Sequence, residues 1–127
     1  MRKIIFLLFL MIGAVINVQA QTETDRVVKA FKTGSAELIA EHFDEFVDLK
    51  LLDKDEVKNM SKNQAEQALK SFYAEKEIKG FDKVSEGGKG NLLYILGKLT
   101  NGNKVYSITI QLKQKAGNLH IITMRIS

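Results

Sequence analysis

The chain has 127 residues, with no Cys, Pro or Trp, 19 Lys and Arg against 15 Asp and Glu, and a formal net charge of +4. The lack of Cys excludes a disulfide scaffold, a thiolate metal centre, a thiol nucleophile and a cysteine-linked lipid anchor. A composition that is 45% apolar and 27% charged belongs to a globular chain, not a disordered one.

Residues 1–20 read as a signal peptide. Arg2 and Lys3 precede an uncharged run from Ile4 to Ile16, and Val18-Gln19-Ala20 carries small residues at the peptidase positions. The run is too short for the roughly 20 apolar residues of a bilayer span, so no membrane anchor is expected after cleavage. Cleavage after Ala20 leaves one domain, residues 21–127, soluble and periplasmic or secreted, with its net charge lowered to +2. Residues 87–127 hold six bases and no acid. These bases are spread over four segments instead of forming a dense stripe or a cluster with aromatics, which argues against nucleic-acid binding.

The first helix is expected from a cap at Thr24 or Asp25, with Val27, Val28 and Phe31 on one side and Gly34 ending it. A second follows from Ser35, with Leu38, Ile39, His42 and Phe43 as its apolar stripe. Alternation from Phe46 to Leu51 marks a half-buried strand with Val47, Leu49 and Leu51 inward, and Asp53-Lys54 turns into a weaker strand over Glu56 to Met60. Ser61 and Gln64 form a capping box for a third helix reaching about Glu75, whose Ala65, Ala68, Leu69, Phe72 and Tyr73 share a face. Strands follow over Phe81 to Ser85, Leu92 to Thr100, Lys104 to Lys113 and Leu119 to Ile126. Turns are expected at Gly87 to Gly90, Asn101 to Asn103 and Ala116 to Asn118. The order α-α-β-β-α-β-β-β-β predicts an α+β domain, a curved antiparallel sheet covered on one face by helices.

Several stretches carry a resemblance: Phe31-Lys32-Thr33-Gly34-Ser35-Ala36, Val47-Asp48-Leu49, Gln64-Ala65-Glu66, Leu69-Lys70-Ser71-Phe72-Tyr73, Tyr94 to Gly97, Leu99-Thr100 and Arg125-Ile126. The chain resembles a family of short exported bacterial proteins of unknown function with a nuclear transport factor 2-like, or cystatin-like, α+β cone. The resemblance implies a sheet curled round the helices, a cavity at the open end in many relatives, and dimerisation through the outer sheet face. Relatives of that fold include dehydratases and isomerases as well as binders and scaffolds.

His42, Phe72, Tyr73 and Tyr94 are the candidates for a ligand pocket in a wedge between the third helix and the sheet. Each also has a plain structural reading, His42 as a rim histidine and the aromatics as core. Asp44, Asp48, Asp53, Asp55 and Asp82 sit in polar registers or turns, so no acid/base dyad emerges. Two histidines without the His-x-x-x-His spacing define no metal site, and no cofactor is implied. Gly87-Gly88-Lys89-Gly90 lacks the context of a phosphate loop, and Asn59-Met60-Ser61 reads as a helix cap although it is formally a sequon. The leading expectation is a non-catalytic binder of a small apolar or amphipathic ligand or of a protein. The alternatives are an acid/base enzyme using His42 with a tyrosine, and a homodimer or docking module acting through Val105, Thr109, Leu119 and Ile121.

Overall fold

A computed structural model describes residues 23–127. The expected signal peptide and cleavage point lie outside these residues. Helix α1 occupies residues 23–33 and buries Val27, Val28, Ala30 and Phe31 before Gly34 ends it with a φ of 72°. Ser35 caps α2 (Ala36–Ala40), its Oγ accepting from the Leu38 N–H at 3.3 Å. Helix α2 stops earlier than its apolar stripe predicts, leaving Leu38 exposed and His42 in a turn. The cause is long-range pairing. The Ile121 N–H donates to the His42 carbonyl at 2.7 Å, and Phe43 opens strand β1 (Phe43–Leu51) opposite Ile121.

Strand β2 (Val57–Ser61) pairs antiparallel with β1 and runs directly into α3 (Lys62–Lys76). Ser61 serves both elements, its Oγ accepting from the Gln64 N–H at 3.2 Å. Helix α3 buries Ala65, Leu69, Phe72 and Tyr73 and ends at Glu77 in the left-handed conformation. The remaining strands are β3 (Gly80–Lys89), β4 (Leu92–Thr100), β5 (Val105–Lys115) and β6 (Asn118–Ile126). Strand β3 continues through the expected Gly87–Gly90 turn, because Gly87 and Gly88 let β4 side chains lie against the backbone and keep the ladder paired to Lys89. The actual turn is Gly90-Asn91, with Gly90 at a positive φ. Ala116 and Gly117, both at positive φ, close the β5–β6 hairpin.

The sheet order is β2-β1-β6-β5-β4-β3. Every neighbouring pair is antiparallel except β1 and β6, which run parallel and join the two halves of the sheet. The fold is thus the expected α+β arrangement with a curved, open sheet. Its core joins Phe31 of α1, Ile39 of α2 and Leu69 of α3 to Ile95, Leu99, Ile108, Ile110, Leu112, Ile121 and Met124 of the sheet, all fully buried. Phe31 also stacks at a tilt on Phe81, with ring centroids 5.2 Å apart.

One irregularity reverses a side-chain register. Gln111 pairs with Thr123 while Leu112 pairs with Ile121, so Ile122 is an extra residue in β6. A bulge of one residue switches the faces of a strand. Leu119 and Ile121, which unbroken alternation places outside, are therefore buried with Met124 and Ile126. They leave the candidate interface, whereas Val105 and Thr109 lie exposed on the outer face.

Candidate functional site

Helix α3 divides the expected wedge. Ala68, Ser71, Phe72, Glu75 and Lys76 lie at helical spacing and face a depression of about 260 Å³ completed by residues 51–54. Phe72 is anchored there edge-on to Tyr106, centroid to centroid 6.2 Å. Lys70, Tyr73 and Ala74 instead line a separate groove of about 420 Å³ with Gly34, Ser35, Ala36, Glu37 and Ile78. Tyr73 is buried, and its hydroxyl has no hydrogen-bond partner among the described residues.

His42 belongs to a third depression, about 230 Å³, with Arg26, Lys29, Ala30, Thr33, Leu38 and Glu41. Burial holds its imidazole below the ordinary value, opposed by Glu41 and reinforced by Arg26, His120 and Lys62. Tyr94 is not in the wedge. Ile95, Gly97 and Leu99 take the inward positions of β4, which turns Tyr94 outward. The structure therefore brings Phe72 and Tyr73 to one helix but places His42 and Tyr94 elsewhere, and His42 shares none of these depressions with a tyrosine. Among the described residues no group of three or more His, Asp or Glu is placed to hold a metal ion, and no helix is long and apolar enough to cross a membrane.

The outer sheet face adds Leu92 and Leu96, which the sequence did not single out, to Tyr94, which it placed in the wedge. Leu92, Tyr94 and Leu96 occupy successive outward positions of β4 and remain 39%, 47% and 37% exposed. Leu92 sits between Lys89 and Lys113, Tyr94 between Gly87 and Gln111, and Leu96 between Ser85 and Thr109. Lys115 pairs with Asp44 and Arg125 with Glu56, but Lys89, Lys98 and Lys113 have no ion pair among the described residues. The run Leu92 to Leu96 is apolar at every position, so its alternation gives no parity signal.

Helices on one face of an open, curved sheet make up a nuclear transport factor 2-like fold. A protein of unknown function from Burkholderia xenovorans described as NTF-2 like shares this fold at 12% identity, with a TM-score of 0.64, over 87% of this chain and 83% of its own. Residues 24–127 match the DUF4783 domain of unknown function, and the chain belongs to that family. Crystal structures of DUF4783 proteins from Bacteroides fragilis and Bacteroides uniformis are similar at 27% and 20% identity, with TM-scores of 0.70 and 0.74. They cover 80% and 81% of this chain and 93% and 94% of their own. No curated protein matches.

Proposed function

We propose that this chain is an exported, non-catalytic binding domain whose working surface is the outer face of its sheet, and that its partner there is an acidic protein segment bearing apolar side chains. The observation that carries the reading is the stripe Leu92, Tyr94 and Leu96, a contiguous apolar strip on a face that no helix among the described residues covers. The cations Lys89, Lys98 and Lys113 beside it lack internal partners, and two copies stacked on this face bring such charges together. An acidic partner removes that repulsion. The packed core and the separation of His42 from Tyr73 and Tyr94 favour binding over acid/base chemistry. Export rests on the composition of residues 1–20.

The test is calorimetric titration of the chain recovered after export with a peptide of alternating Glu and Leu, and with one of alternating Lys and Leu. The Glu peptide binds, more weakly at high salt and after K89E/K113E; equal binding of both peptides contradicts the reading. A tight dimer in sedimentation equilibrium that masks Tyr94 replaces the acidic partner with a second copy.

A further inference from the structure

Helix α1 carries a basic face beside its buried one. Arg26, Lys29, Ala30 and Thr33 recur at i, i+3, i+4 and i+7 and so share one side, while Val27, Val28 and Phe31 enter the core. Opposite that side, the early end of α2 leaves Leu38 41% exposed and sets Glu41 and His42 in the turn to β1. Together these residues line the depression of about 230 Å³. Drug-sized sites begin at roughly 300 Å³, so an occupant here is small.

The lining is apolar in its walls and cationic at its rim. Ala30 and Leu38 supply the apolar part, and Thr33 spends its hydroxyl proton on the Ala30 carbonyl oxygen at 2.6 Å. Arg26 and Lys29 are exposed and form no ion pair among the described residues, which leaves both cations able to meet an anion. Lys62 and His120 lie near enough to lower the proton affinity of His42, as Arg26 does. The acids on this side are Glu41, which raises it, and Asp44, which Lys115 holds at 2.7 Å. Positive charge is therefore in surplus around the depression.

We propose that this depression binds a small amphipathic monoanion, its charged head between Arg26 and Lys29 beside His42 and its short apolar body against Ala30 and Leu38. Coulomb attraction selects the head, and covering the exposed Leu38 selects the body. Burial keeps His42 short of protons in the empty state. A bound anion favours the imidazolium, so by linkage the anion binds more tightly as pH falls through the His42 titration. The site shares no residue with the sheet face and is independent of that reading.

Hexanoate is the probe and hexan-1-ol its uncharged control, with the histidine and tyrosine rings 13C-labelled in the chain recovered after export. Hexanoate moves the His42 resonance, raises its titration midpoint and leaves Tyr94 unmoved. It binds more tightly than hexan-1-ol, and more tightly at about pH 6 than at about pH 8, on either side of the ordinary histidine value. Arg26→Gln and Lys29→Gln each weaken it about two- to fivefold, the worth of an exposed ion pair, and Glu41→Gln tightens it by a similar factor. Phosphatidylglycerol vesicles, which present an anion at a bilayer surface, leave the His42 resonance in place. Four results would each overturn the site: equal binding of hexanoate and hexan-1-ol, an unmoved His42 resonance at millimolar hexanoate, a Glu41→Gln variant that binds no more tightly, or a His42 shift with vesicles alone.

Discussion

The ring of Phe81 lies against Gly97 across the β3–β4 ladder, so close that a Cβ on Gly97 would fall 2.5 Å from the ring and 2.7 Å from the Asp82 carbonyl oxygen. Phe81 in turn carries the stack on Phe31, so this glycine seats α1 on the sheet. Gly97→Ala must displace backbone as well as ring, and a loss of about 1–3 kcal/mol is expected by chemical denaturation. Gly87→Ala should cost less, since its nearest neighbour is the mobile end of the exposed Tyr94 side chain.

Ser61→Ala removes the acceptor for the Gln64 N–H at the start of α3. The expected loss is about 1 kcal/mol, read from the same denaturation curves. Ser61→Asp should retain most of the stability, because it keeps a capping oxygen there.

Glu77 ends α3 at a φ of 54°, where a side chain is disfavoured and glycine is not. It is exposed, so little packing is lost on replacement. Glu77→Gly should raise stability by about 0.5–1 kcal/mol, measured as a higher denaturation midpoint at unchanged slope.

The punctuation of the chain was legible in its residues. Ser61 with Gln64, Gly34, and Ala116-Gly117 each act through neighbours three or four positions away, and each does what its local chemistry predicts. Long-range pairing was not legible. His42 and Phe43 continue a helical stripe until β6 captures them, and Ile122 reverses the faces of β6 without any turn residue to announce it. The candidate site suffered for the same reason. Tyr94 faces outward because Ile95 and Leu99 fill the core, and the solitude of the Tyr73 hydroxyl depends on every surrounding element at once.

His42 and Asp44 give stability two pH windows. His42 is held below its ordinary value, chiefly by burial, so the folded state binds its proton less readily than the unfolded chain does. Its contribution is complete above about pH 6.5 and is lost as pH falls through the lowered folded value. Asp44 is lowered first by the hydrogen bond from Lys115 at 2.7 Å, so its contribution is present above about pH 4 and disappears on further acidification. Denaturation at a series of pH values should show His42→Gln flattening the upper window alone and Asp44→Asn the lower one alone.

We propose that the exposed outer sheet face, not the interior of the cone, is where this domain meets its partner. Backbone 1H–15N spectra recorded while the alternating Glu and Leu peptide is added test it residue by residue. Shifts are expected to concentrate at residues 92–96 and 109–113 and to fade with salt and with K89E/K113E. Shifts confined to the groove around residues 34–37 and 70–78, or no shifts at all, would contradict it.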